Sequence, residues 1–291
     1  MGPPSSGGIS LIYLLNILEN FDLSQYMHSS AKMLNIMVEA MRRVYADRSE
    51  FMGDADFVNV PVDILTSKLY AERRMKDFVQ GTASKSENVD HGDAYYKESS
   101  QTTHYSVADQ WGNVVSVTTT INDNYGNKVV VDGAGFFLNN EMDDFVSKPG
   151  VPNMYGLLGS DANAIEPNKR MLSSMTPTIV LKDGKPYLAT GSPGGGRIIT
   201  AVLNNIVNLI DYEMTLGDAI DLPRFHHQWY PDEIQIERGM LTGEVVYNLV
   251  KMGYKITEIG DFASIDAILF HPDGGMQGHS DRRGSGKALG Y

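Results

Sequence analysis

The sequence contains no cysteine, which excludes a disulfide frame, a thiol nucleophile and a sulfur-ligated metal together. No run of lysine and arginine exceeds a pair, and 24 basic residues face 36 acidic ones for a net charge of −12. Such a surface argues against nucleic acid as a partner and suits a small polar substrate better than a polyanion. Long apolar runs are missing too. The best stretch, residues 9–18, is too short to span a bilayer, is broken by Asn16 and reads as a core helix. No internal repeat is found, and no signal-peptide pattern opens the sequence, which leaves compartment undecided.

What is present is 42% hydrophobic content over 291 residues, enough to bury the core of one large domain or two modest ones. Periodicity predicts helices over residues 9–21 and 29–47, the second with Leu34, Met37, Met41 and Val44 at spacings of three and four. That stripe reads as core, its methionines as packing. A further helix is predicted over residues 66–79. Asp54, Asp56 and Asp63 read as caps and turns, because their surroundings lack the spaced oxygen ligands of a calcium loop. Residues 80–101 are rich in Gly, Ser, Asn, Asp and Lys with no apolar period, and predict a mobile linker.

Beyond the linker, residues 103–108 and 113–122 predict a hairpin turning at Asp109 to Asn113. Strands are expected over residues 178–182, 185–190, 233–237 and 265–271, and helices over 197–211, 216–221 and 242–252. By pattern alone the chain is mixed α and β.

The linker ends at Thr102. A chain cut before it would give Thr102 a free α-amine beside its own hydroxyl, so that one residue supplies base and nucleophile. Taken alone, Thr102-Thr103 at a strand head is ordinary β-propensity. In Pro193-Gly194-Gly195-Gly196-Arg197 the missing Cβ atoms allow backbone to approach a substrate carbonyl, and a following helix would aim its N-terminal amides the same way. A phosphate loop would need a Lys-Ser/Thr pair that is not there. Residues 148–160 are irregular and carry Pro149, Gly150, Pro152, Gly156 and Gly159, as a closing loop would. His226 and His227 are adjacent, point in different directions and read as structural.

Together, Gln101-Thr102-Thr103, Asn139-Asn140-Glu141-Met142-Asp143-Asp144-Phe145, Leu172-Ser173-Ser174-Met175-Thr176-Pro177, Gly191-Ser192-Pro193-Gly194-Gly195-Gly196, Phe225-His226-His227 and Gly290-Tyr291 resemble the gamma-glutamyltranspeptidase family over the whole chain. Those proteins are threonine-dependent N-terminal-nucleophile hydrolases. The resemblance implies an α+β fold, the four-layer αββα sandwich. Residues 1–8 resemble an internal turn of the family's large subunit. Residues 1–101 are therefore expected to be the C-terminal part of that subunit and 102–291 the small catalytic subunit, in one intertwined domain. The missing N-terminal half is the expected partner.

The same resemblance implies self-cleavage between Gln101 and Thr102, with Thr102 as nucleophile and Thr120 orienting it. Gly194 and Gly195 would bind the oxyanion. Asn122, Glu141 and Asp144 would bind the donor's α-ammonium, and Ser173 and Ser174 its α-carboxylate with an arginine from the N-terminal half. Tyr155 matches the lid tyrosine. The implied reaction transfers a γ-glutamyl group from glutathione or a similar donor to water, an amino acid or a peptide, without cofactor or metal. The lid favours this over the lidless polyglutamate-processing and cephalosporin-acylase relatives. A silent half that serves only assembly is the remaining alternative. A periplasmic or secreted location is expected from the family alone.

Overall fold

The computed structural model describes residues 1–89 and 102–290. Helix α1 (Gly7–Leu18) and helix α2 (Ala31–Phe51) form the first layer. Ser30 starts α2 by accepting the Met33 N–H on its side chain, an N-cap worth about 1 kcal/mol. The expected stripe Leu34, Met37, Met41 and Val44 is buried, and so is most of the rest of α2. The helix thus runs through the core and must neutralise its own charges. Arg43 donates to Glu39 at 2.7 Å and to Asp77 at 3.0 Å, while the Ser84 N–H reaches Glu39 at 3.1 Å. Removing one partner of such a pair is far more damaging than removing both.

The helix expected over residues 66–79 is instead two short pieces, α3 (Val62–Leu65) and α4 (Lys68–Arg74). The Thr66 hydroxyl bonds back to the Val62 carbonyl, and the Ser67 side chain accepts the Tyr70 N–H to start a new helix. Hydroxyl side chains offering local bonds are what break the run. Asp54 is more than a turn residue. Buried, it accepts the Asp56 N–H and is clasped by the Arg170 guanidinium at 2.6 and 2.9 Å, which holds its carboxyl well below the usual range.

Strands β1 (Thr103–Ala108) and β2 (Val114–Thr119) form the expected antiparallel hairpin. Its turn is fixed by Asp109, whose carboxylate accepts the N–H groups of Trp111 and Asn113, both at 2.9 Å. Then come β3 (Thr178–Lys182), β4 (Lys185–Gly191), α5 (Ile198–Ile210), α6 (Leu216–Asp221), β5 (Phe225–His226), β6 (Ile234–Glu237), α7 (Gly243–Met252), β7 (Ile256–Ile259), β8 (Asp266–Phe270) and β9 (Met276–Ser280). Strands β5, β7 and β9 were not foreseen. β5 has two residues and β9 is polar around Gly278, so neither shows a period.

An antiparallel sheet of order β3-β4-β8-β9 occupies the centre, and β5-β6-β7 forms a second, mixed sheet. Helix α5 covers one face of the central sheet, where Asn205 donates to the Thr190 hydroxyl at 3.0 Å. The β1-β2 hairpin stacks on the other face. There the Ser116 hydroxyl donates to the Thr190 carbonyl at 3.1 Å, and a Cβ on Gly191 would lie 2.3 Å from the His104 ring. The result is an α+β stack of helices, sheet and hairpin. Among the described residues nothing covers the hairpin's outward side, where Tyr105, Val107 and Val115 are about half exposed.

Candidate active site

Thr102 precedes β1 by one position and Thr120 follows β2 by one. The register pairs Thr103 with Thr119, which sets these two side chains against each other past the end of the ladder. The Thr102 hydroxyl donates to Thr120 Oγ1 at 3.3 Å, and Thr120 Oγ1 also accepts the Asn122 N–H at 2.9 Å. That second bond holds Asn122 in a left-handed conformation, φ 74°, which asparagine tolerates better than most residues. Asn122 is buried and donates to the Asn140 carbonyl at 3.1 Å. The nearby His104 takes no part. It faces the central sheet between Thr118 and Ser106, and burial pushes its pKa down to about 4.

The 148–160 loop folds in over this corner. Tyr155 is buried, and its hydroxyl is shared between the Asn122 carbonyl at 2.9 Å and the Asn122 side-chain oxygen. Contacts that tether the loop include the Met154 N–H to the Asp143 carboxylate at 2.8 Å, Gln228 Nε2 to the Tyr155 carbonyl at 3.2 Å and the Ser160 hydroxyl to the Glu50 carbonyl at 2.8 Å. The Tyr155 ring lies flat on the glycine turn, so that a Cβ on Gly195 would come within 2.5 Å of it. Gly194 and Gly195 have φ 136° and 53°, conformations that need glycine. A short turn at Gly195–Arg197 then leads into α5.

On the opposite wall, Ser173 is held by the first residues of the chain. It forms an isolated parallel bridge with Ser5, accepts the Ser6 N–H on its carbonyl at 2.9 Å, and donates its own N–H to the Pro4 carbonyl at 3.1 Å. Ser174 accepts from Arg48 Nη2 at 3.0 Å.

Thr102, Thr120, Asn122, Asp144, Tyr155, Ser173, Ser174 and Gly195 thus line one cavity. Gly194 and Glu141 do not line it. Glu141 sits one turn before Asp144 in a short helical turn, Glu141–Asp144, and acts on it through its charge. Gln101 and Tyr291 lie outside the described residues. The cavity volume is about 20 Å³, room for about one water, whereas ligand pockets run to roughly 300–1,000 Å³. With Tyr155 folded in, the site has little room left.

Its electrostatics are uneven. Burial pushes the Asp144 carboxyl up to about 7, against the pull of Arg48 and with help from Glu141 and Asp143. No hydrogen bond or ion pair among the described residues holds that carboxylate. Burial likewise raises Glu141. His226 and His227 are buried and structural: His226 bonds Thr200 at 2.8 Å and Gln228 at 2.7 Å, and His227 lies 3.4 Å from Asp232. The residues that sequence reasoning missed are Ser5, Ser6 and Arg48. Arg48 was within reach, since it extends the Leu34, Met37, Met41, Val44 spacing by four and so puts a charge at a core position.

A sequence model of the gamma-glutamyltranspeptidase family matches residues 1–291. A glutathione hydrolase proenzyme of Escherichia coli strain K12 is 51% identical over 283 residues, covering 97% of this chain and 49% of that protein. The crystal structure of a Helicobacter pylori gamma-glutamyltranspeptidase mutant is 57% identical with a TM-score of 0.62; the match covers 62% of this chain and 100% of the other. A cephalosporin acylase from Bacillus halodurans, 23% identical, matches 100% of this chain and 51% of its own with a TM-score of 0.82, which shows the fold alone. The chain spans about half the length of the curated relatives it matches.

Proposed function

The chain belongs to the gamma-glutamyltranspeptidase family, and from that premise we propose that it forms the acyl-transfer centre of a γ-glutamyl hydrolase and transferase. The observation that carries this reading is the Thr102–Thr120 pair, which shares one cavity with the Asp144 carboxylate on one side and the Ser173 and Ser174 hydroxyls on the other. A γ-glutamyl group has an ammonium and a carboxylate remote from its reacting carbonyl. Asp144, with Asn122 beside it, answers the first; the serines answer the second.

In this mechanism the Thr102 hydroxyl attacks the γ-carbonyl while the residue's own α-amine takes the proton. Backbone N–H groups of the Gly194–Gly195 turn stabilise the oxyanion, each worth on the order of 3 kcal/mol. The leaving amine collects the proton, and an acyl ester remains on Thr102. Water releases glutamate from it; an amino acid or peptide amine takes the acyl group instead. Thr120 keeps the nucleophile aimed. Tyr155 must swing off Gly195 for a donor to enter, which makes the 148–160 loop a lid.

The α-amine exists only after the bond between Gln101 and Thr102 is broken, and the same hydroxyl is suited to that cut by attack on the Gln101 carbonyl. One comparison supports it: a solved chain of the family is matched end to end yet covers 62% of this chain, close to the share from Thr102 onward. An acylase acting on donors without an amino acid head would leave Asp144 no task. The N-terminal half seen in the relatives is the proposed partner, contributing a further arginine to the carboxylate.

The test is Thr102→Ala. Denatured mass should show one species in place of pieces of 101 and 190 residues, and hydrolysis of a γ-glutamyl anilide should fall to background. Turnover retained in that variant would sink the mechanism.

A further inference from the structure

Arg48 is buried at 3% exposure, yet its guanidinium meets no carboxylate within ion-pair distance among the described residues. Three other buried arginines do, with Glu39 for Arg42 and Arg43 and Asp281 for Arg224, as does half-buried Arg283 with Glu237 and Asp281. Arg48 has two hydroxyls instead, Ser6 Oγ at 2.9 Å from Nε and Ser174 Oγ at 3.0 Å from Nη2. A desolvated charge left with neutral partners is costly, and burial lowers its pKa accordingly.

The direction of these bonds matters. Arginine can only donate, so Ser174 Oγ accepts from it and must send its own hydrogen elsewhere. No described residue receives that hydrogen. Ser173 Oγ accepts the Met175 N–H at 3.0 Å and lies 3.4 Å from Ser5 Oγ, which gives its own hydrogen to the Met175 carbonyl at 2.8 Å. Ser6 completes the relay by accepting from Arg48 while donating to the Ser173 carbonyl at 2.8 Å. Both serines line the cavity, and Ser174 is left with a hydrogen to offer it. Across the cavity stands Asp144, the carboxylate whose field reaches Arg48 without a contact.

We propose that Arg48 is a positioning residue for donor specificity: it turns the Ser174 hydroxyl into a fixed donor, steadies the Ser173 backbone through Ser6, and supplies the buried positive charge that an α-carboxylate completes. This rests on the γ-glutamyl reading and deepens it, because the chain then carries a cationic contribution to carboxylate recognition of its own. A donor with a charge at only one end leaves either Arg48 or Asp144 uncompensated.

Two anilides separate the ends: γ-glutamyl anilide, and 4-aminobutyryl anilide, which lacks only the α-carboxylate. Kinetics are measured on the chain with whatever N-terminal half it needs for turnover, and binding of L-glutamate and 4-aminobutyrate by calorimetry. Arg48→Met should raise KM for the γ-glutamyl donor about tenfold or more while changing kcat far less, leave the 4-aminobutyryl donor unchanged, and weaken glutamate binding alone. Arg48→Lys should recover part of that preference. If Arg48→Met fails to fold, Arg48→Lys and Ser174→Ala, singly and combined, decide the matter: a combined loss smaller than the sum of the two shows that they act through one contact, and additive losses overturn the proposal. Equal losses on both donors also overturn it, marking Arg48 as structural while leaving the γ-glutamyl reading intact. A parent protein that neither binds glutamate nor turns over either donor brings down both.

Discussion

At the scale of single residues the pocket is a study in what burial does to charge. Burial, with help from the nearby Glu141 and Asp143 charges, pushes the Asp144 carboxyl up to about 7. Its folded pKa lies above the ordinary carboxylate value, so its contribution to stability is present in full below pH 4 and is lost as pH rises to about 7. Function runs the opposite way, since an ammonium needs the ionised form. KM for a γ-glutamyl donor is therefore expected to fall as pH is raised towards 7 and level off above it, while Tm declines over the same range. Asp144→Asn should flatten both slopes and raise KM at pH 8; a KM profile unchanged by that substitution would count against the ammonium assignment. Arg48 shows what was and was not legible here. Its place in a core stripe could be read from spacing, but its partners Ser6 and Ser174 stand 42 and 126 residues away, and no periodicity links them.

At the scale of elements, packing between α1 and the serine wall sets the precision of the site. A Cβ on Gly7, the first residue of α1, would lie 2.3 Å from the Met175 carbonyl oxygen and 2.4 Å from Thr176 Oγ1. Gly7→Ala must push these elements apart at a cost of about 1–3 kcal/mol. Thermal melts should show it, and KM for the donor should rise by more than at Ser30→Ala, which removes only the α2 cap, costs about 1 kcal/mol and lies away from the pocket. Elements with strong local signals match their anticipated bounds: α6 and β3 do so at both ends, because Thr215 caps one and a β-branched apolar run between Pro177 and Asp183-Gly184 marks the other. Where a serine had two choices, as at Ser67, or a strand depended on a distant partner, as β7 depends on β6, the chain offered no local signal.

At the scale of the whole molecule, the hairpin's outward side is unfinished. Tyr105, Val107 and Val115 there, with Val129, Val130 and Phe136 on the loop that follows β2, are each about half exposed. Apolar surface of this extent marks an interface, and the proposed N-terminal half would cover it. The chain by itself is expected to self-associate, with an apparent mass by light scattering that grows with concentration. Val107→Lys combined with Val115→Lys should suppress this without touching the inward row at His104 and Ser106; a parent chain that stays monomeric at every concentration would show that the surface needs no cover. The α+β class came from the family resemblance, the pattern alone giving only mixed α and β, whereas the hairpin was plain from alternation. The unfinished side was not, because the outward valines read like any strand residues until their surroundings are known.

The described residues on either side of positions 90–101 are fastened independently. On one side Ser86 donates to the Trp229 carbonyl at 2.6 Å and accepts the Trp229 indole N–H on its own carbonyl at 3.1 Å; on the other, Thr102 leads straight into β1. Tyr45, from the first part, also donates to the Gly196 carbonyl at 2.5 Å. A cut before Thr102 would thus alter molecularity and leave shape untouched. The intact chain refolds at a rate independent of its concentration, whereas the two pieces must first meet. Their melting temperature would climb with concentration, and dilution, harmless to the precursor, would become a route to irreversible loss.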